Sequence, residues 1–210
     1  EGNVSNGSDF ISWTPIADCM GDPITVYSGT FDGNNKTVSG LYFNGDSTCI
    51  GLFGSSESDG NIKNVGVVDS YFKGNEYVGG VCGSNYGTIT NCYNAGNLTA
   101  IESGATIGGI CGYNNGGTVT NCYNTGTVTA TGTVASVGGV CGCSTELILN
   151  CYNIGTVTAA SSDADISGIC GYYFGPIKNC YYLADTEDEN GGKTAAQFAS
   201  GEIAYLLSQG

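Results

Sequence analysis

Histidine and arginine are absent from this chain of 210 residues, and all five of its cationic side chains are lysines. Their absence removes the common imidazole bases, the bidentate phosphate clamps and most transition-metal sites. Basic surface is scarce as well. Nineteen acids against five lysines give a net charge of −14 and a pI near 4.1, which disfavours nucleic acid and anionic membrane as partners. No apolar run reaches the roughly 18 residues of a spanning helix, so no membrane insertion is expected. Glu1-Gly-Asn-Val4 has no signal-peptide pattern, and a mature or trimmed start is the expectation.

What is present is repetition. Cys82, Cys111, Cys141 and Cys170 recur at spacings of 29, 30 and 29 residues, and Cys92, Cys122, Cys151 and Cys180 at 30, 29 and 29. A fixed period of this length marks a solenoid, propeller or array. Each unit holds three short stretches rich in Val, Ile and Thr, which in the first are Val78–Cys82, Thr88–Cys92 and Asn97–Ile101. They alternate in polarity as half-buried strands do. None can hold an amphipathic helix, and the glycines would break one. Four-stranded propeller blades and leucine-rich repeats do not fit the unit. Three strands per turn, stacked on the next turn at about 4.8 Å, make a parallel β-helix.

The expected fold is therefore all-β: a right-handed parallel β-helix with three-strand rungs of about 29 residues and a short C-terminal helix, its hand set by that of parallel crossovers. Stacking predicts three inward columns: Ile89, Val119, Ile148 and Ile177; Val81, Ile110, Val140 and Ile169; and Leu98, Val128 and Val157. Asn91, Asn121, Asn150 and Asn179 recur at a bend, where their amides can bond from rung to rung. Many of the 36 glycines fall where the chain must turn with positive φ or where backbones crowd.

A family resemblance rests on these blocks. Gly80-Val-Cys-Gly83, Gly109-Ile-Cys-Gly112, Gly139-Val-Cys-Gly142 and Gly168-Ile-Cys-Gly171 resemble the GLUG motif, and Gly51-Leu-Phe-Gly54 matches it best. The run Gly29–Tyr42 is similar to the usual lead-in of such regions, so the resemblance covers about residues 13 to 183. It implies a repeat region of a bacterial surface protein, of the kind that precedes IgA-peptidase-like domains. The motif is structural and carries no catalytic residues to transfer.

Three segments follow from this reading: a lead-in and partial first rung (1–48), the repeats (49–183), and an acidic loop with a capping helix (184–210). In the lead-in, residues 1–12 read as a loose polar leader, Ile24–Val26 as a first strand, Phe31–Asn35 as a turn and Thr37–Phe43 as a second strand. Past Leu183, Thr194 and Gln197 form a capping box, and Phe198, Ile203, Leu206 and Leu207 share one face of a helix over 194–208. Such a cap covers the open end of a solenoid.

The cysteines leave two readings open. One pairs them within each turn, as Cys82–Cys92, Cys111–Cys122, Cys141–Cys151 and Cys170–Cys180; the other keeps two columns of reduced thiols that pack as small hydrophobes. Cys143 is expected in a turn. Zinc is not expected, because the spacing offers no CxxC pair and no histidine. The acids Glu76, Glu102, Glu146, Asp163 and Asp165 fall in turns or at strand starts and form no glycosidase pair. Asp185–Asn190 lacks the pattern of a calcium loop.

No enzyme activity and no cofactor are expected. The binding candidates are the tyrosines near the loop after each GxCG block: Tyr86, Tyr113, Tyr172 and Tyr173. They suit a glycan or a surface protein, host or microbial. The expected function is a structural or adhesive module outside the cell, a stiff spacer that presents a contact surface. Competing readings are a carbohydrate-active β-helix enzyme, a subunit that self-associates end to end into fibres, and an ice-binding face of stacked T-x-T arrays.

Overall fold

The computed structural model describes residues 10–19 and 24–209. Their strands pair in parallel, turn upon turn, as a β-solenoid of about six turns with a spacing of about 29 residues. Each turn visits three sheets. In the first complete repeat the chain passes through Tyr77–Gly79 in a second sheet and Cys82–Asn85 in a third, then Thr88–Thr90 and Tyr93–Ala100 in the main sheet. Among the described residues, the second and third sheets hold five strands each and the main sheet fifteen.

Registers follow the repeat. Ile89 lies opposite Val119, Val119 opposite Ile148 and Ile148 opposite Ile177, while Leu98 meets Val128 and Val128 meets Val157. The column through Val81, Ile110, Val140 and Ile169 is buried throughout. Every identical neighbour reinforces the pairing, because a one-residue slip would turn each of these side chains outward.

The rungs are more finely divided than three stretches. Val78–Cys82 is cut at Gly80-Val81, between Tyr77–Gly79 and Cys82–Asn85. A Cβ on Gly80 would lie 2.5 Å from Asn94 Cγ and from the carbonyl oxygen of Gly109, so only glycine lets the chain bend this close to its neighbours. Thr88–Cys92 is cut at Asn91, whose φ is 55°. Asn64, Asn121, Asn150 and Asn179 repeat that left-handed corner, which asparagine tolerates better than other side chains. Their amides bond across turns from Asn91 to Asn64 at 3.0 Å and from Asn179 to Asn150 at 2.7 Å.

The lead-in departs from expectation. Residues 1–9 of the leader lie outside the described residues, and Ile11–Ser12 is a short strand on Leu41–Asn44, which offers it an unpaired edge. Instead of a strand over Ile24–Val26 there are single bridges, Asp18 with Thr25 and Tyr27 with Ser56; Ile24 and Val26 are exposed and have no face to bury. The turn Phe31–Asn35 is a corner inside the strand Thr30–Ser39, made by Asn34 and Asn35 at φ 51° and 57°. Gly40, at φ 75°, divides the strand expected over Thr37–Phe43. Tyr27 and Phe31 pack on Phe53 at 4.8 and 5.2 Å between ring centres, and a Cys19–Cys49 disulfide ties the lead-in to the first turn.

At the other end, Gly192–Lys193 adds a strand to Tyr181–Leu183. The cap is two helices, α1 (Ala195–Ala199) and α2 (Glu202–Leu207), and not one, because Gly201 takes φ 83° between them. The Thr194–Gln197 capping box forms as expected. Ile203 is the cap's buried side chain, while Phe198, Leu206 and Leu207 are half-buried.

Candidate functional site

The outer face of the third sheet carries one column in strict register: Ser55, Ser84, Tyr113, Cys143 and Tyr172. Two aromatic groups lie along it. At its middle, Tyr113 lies 5.5 Å from Tyr77 of the neighbouring sheet with the rings tilted by 31°, and Tyr86 stands in the bend after Asn85. A groove of about 350 Å³ runs between Tyr77 and Tyr86 over Ser55 and Ser84, with Glu57 and the Cys19–Cys49 disulfide on its border. Near its C-terminal end, Tyr172 meets Phe174 edge to face at 5.1 Å. Tyr172, Tyr173 and Phe174 are 46, 57 and 73% exposed.

The four candidate tyrosines therefore separate. Tyr113 and Tyr172 share the column two turns apart, about 10 Å at the inter-strand spacing. Tyr86 flanks the first group. Tyr173 belongs to a different column, opposite Ser144, on the strand that ends the third sheet among the described residues. Phe174, which follows Tyr173 as Tyr86 follows Asn85, is an added member; the repeat alignment carries that signal. Cys143 is in the strand Cys141–Ser144 and not in a turn, because it takes the outward position that tyrosine holds one turn before and one turn after. Burial raises the Tyr77 and Tyr113 hydroxyls above their ordinary range, so both stay neutral donors near neutral pH.

The remaining polar repeats are consumed by the scaffold. Asn94, Asn124 and Asn153 form a buried amide ladder, with Asn94 Nδ2 donating to Asn124 Oδ1 at 2.9 Å and Asn124 Nδ2 to Asn153 Oδ1 at 2.8 Å. A second ladder runs from Ser56 through Asn85 and Asn114 to Ser144. Both turn each amide back onto its own bend, as when Asn94 accepts from the Gly96 amide and donates to the Gly96 carbonyl. Tyr93, Tyr123 and Tyr152 stack at 4.8 Å with planes 2° apart, and Phe198 of α1 lies 6.3 Å beyond. Thr90 bonds Thr120, and Thr129 bonds Thr158.

In the structure, the thiols of the proposed pairs Cys82–Cys92, Cys111–Cys122, Cys141–Cys151 and Cys170–Cys180 are free. The first cysteine of each pair stands in the third sheet's column, and the second at the corner between two strands of the main sheet. Six of the eight thiols bond a carbonyl two residues away in their own turn, as Cys82 to Ser84 and Cys92 to Thr90. Burial pushes Cys82 up to about 12 and holds Cys111, Cys122 and Cys141 well above the usual thiol range. Among the described residues, no group of three or more His, Cys, Asp or Glu is placed to hold a metal ion.

The acidic loop is ordered by Asp188. It accepts from the Tyr182 hydroxyl at 2.6 Å and from the Gly192 amide at 2.8 Å, while Lys193 pairs with Glu187. Tyr182 is pushed up to about 12, first by burial and then by that bond.

Fold and face together define a parallel β-helix repeat module with an aromatic outer edge. The family described as the GLUG motif matches residues 74–99 and 103–129, two consecutive turns. Halomucin of Haloquadratum walsbyi is 35% identical over 95 residues, which is 45% of this chain and 1% of halomucin. A protein of Evansella cellulosilytica, provisionally named a Gly-rich membrane protein, is 32% identical over 83 residues, 38% of this chain and 9% of that protein. The chain thus spans a small fraction of the curated relatives it matches. A crystal structure from Bacteroides ovatus, provisionally described as an immunoglobulin A1 protease, superposes with a TM-score of 0.64 over 96% of this chain and 81% of that one, at 20% identity. That likeness shows the fold. Among the described residues, no helix is long and apolar enough to cross a membrane.

Proposed function

We propose that this chain is a non-enzymatic, extracellular module of a surface protein, a stiff spacer whose third-sheet face adheres to a glycan. The observation that carries the reading is the aromatic edge: half-buried Tyr113 and exposed Tyr172 on one column, with exposed Tyr86, Tyr173 and Phe174 beside them. Flat aromatic faces pack on the C–H faces of sugar rings, and rigid tyrosines lose little entropy on binding. Two such platforms about 10 Å apart suit alternate sugar units of an extended polysaccharide. Neutral glycans fit better than acidic ones, since the chain carries −14.

Surface placement is supported by the company the repeat keeps: one relative is named as a membrane protein. Stiffness follows from in-register stacking, where every turn is held by two sheets of parallel bonds and by the main sheet. A glycan array probed with the purified chain tests adhesion. Binding that is lost when Tyr172, Tyr173 and Phe174 become alanine supports it; a blank array leaves the spacer alone.

A further inference from the structure

Four free thiols stand in single file at the main-sheet corner: Cys92, Cys122, Cys151 and Cys180. The Cys92 amide donates to Sγ of Cys122 at 3.4 Å, and the Cys122 amide to Sγ of Cys151 at 3.4 Å. The residues that follow them are paired in register, Tyr93 with Tyr123, Tyr123 with Tyr152 and Tyr152 with Tyr181. Successive Cα atoms therefore lie near the parallel-strand spacing of about 4.8 Å. That falls inside the roughly 4.4–6.8 Å over which a disulfide closes without backbone movement.

The chain also holds a disulfide, Cys19–Cys49, with Cα atoms 6.0 Å apart. It ties the lead-in to the second-sheet strand Cys49–Ile50, so this scaffold closes an S–S bond at a separation inside that range.

We propose that the file is an oxidisable site whose thiols close from turn to turn, as Cys151–Cys180 and Cys92–Cys122, when met by a peroxide or a small-molecule disulfide. In each closure two S–H bonds break and one S–S bond forms. Two protons and two electrons pass to the oxidant, so one hydrogen peroxide becomes two waters, or one small disulfide becomes two thiols. Four thiols in a row have one complete pairing between neighbours; a Cys122–Cys151 bond would strand both ends. Cys180, at the last turn, is 7% exposed and the other three are fully buried, so oxidation starts at the Cys151–Cys180 end. The two bonds staple four turns into two locked pairs and hold the last turn to the body of the solenoid. This site is independent of the aromatic edge and of any glycan.

The test is oxidation of the full chain in its folded state with graded hydrogen peroxide, and separately with oxidised glutathione. Remaining thiols are then alkylated, and intact mass and disulfide-linked peptides are read. The expected course is a loss of two hydrogens with a Cys151–Cys180 linkage, then two more with Cys92–Cys122. The Cys180→Ser chain, altered at the partly exposed end of the file, is expected to close a single disulfide within it. Linkages within a turn, such as Cys82–Cys92 or Cys170–Cys180, would overturn the proposal. So would a chain in which Cys143 is fully oxidised while the file remains four free thiols.

Discussion

Asn124 donates through Nδ2 to Oδ1 of Asn153 at 2.8 Å, one turn further along the axis, and both side chains are buried. Asn124 also accepts from the amide of Gly126, donates to its carbonyl and accepts from Asn94. Removing one rung of this ladder leaves several buried polar groups without partners, each costing about 1–3 kcal/mol. Asn124→Ala is expected to lower stability by roughly 3 kcal/mol or more in urea denaturation. A loss under about 1 kcal/mol would mean that the ladder is not a structural element.

The glycines of the GxCG block act by the space they leave. A Cβ on Gly109 would lie 2.3 Å from the Gly139 carbonyl oxygen and 2.4 Å from Asn124 Cγ, so Gly109→Ala must push two turns apart. Gly116 sits at φ 79° with nothing nearby, so Gly116→Ala pays only for the left-handed backbone, about 1–2 kcal/mol. Gly109→Ala is expected to cost at least about 3 kcal/mol or to abolish folding. Equal losses for the two variants, read from thermal melts, would contradict close turn-to-turn packing.

Alkali should unfold the reduced chain through its buried thiols. Burial raises the folded-state pKa values of four of them, Cys82 up to about 12 and Cys111, Cys122 and Cys141 well above the usual thiol range, while the unfolded chain titrates near 9.0. Above pH 9 the unfolded state binds fewer protons than the folded one, so stability falls as pH rises and is undiminished below pH 9. Each such thiol contributes a slope of about 1.4 kcal/mol per pH unit in that window. Urea midpoints at pH 7.5, 9, 10 and 11 under reductant should drop steeply after pH 9. A flat profile to pH 11 would show the thiols to be accessible.

Phe198 of α1 covers the exposed end of the Tyr93–Tyr123–Tyr152 stack, and Ile203 of α2 is buried beneath the cap. The Phe198→Ala, Ile203→Ala pair should loosen the last turn and leave the middle turns intact. Hydrogen exchange is expected to rise for residues 170–183 and to stay unchanged for 106–130. Uniform acceleration would indicate that the solenoid unfolds as one unit.

Much of this architecture was legible because the repeat leaves little freedom. Once Ile89, Val119, Ile148 and Ile177 are equivalent, register and burial follow together. The Asn91 corner was legible for the same reason. The Asn94 and Asn85 ladders were not: an asparagine two or three residues past a cysteine reads as a loop residue until the bend is seen to fold its amide inward. Cys19 lies outside the repeat, so nothing in the spacing pairs it with Cys49. In the cap, the apolar face of residues 198–207 reads as one helix, and the left-handed turn at Gly201 divides it. The candidate tyrosines were found by position after GxCG, but which of them share a column depends on strand phase. Tyr113 and Tyr172 point outward with Cys143 between them, and Tyr173 falls in the Ser144 column.

Titration of a glycan-array hit into the wild-type chain and into the Tyr172→Ala, Tyr173→Ala, Phe174→Ala chain tests the adhesive reading most directly. The account predicts saturable binding to an extended neutral polysaccharide and at least a tenfold loss in the variant, with the melting temperature of the two chains alike. Equal affinity in both chains, with the fold intact, would contradict it.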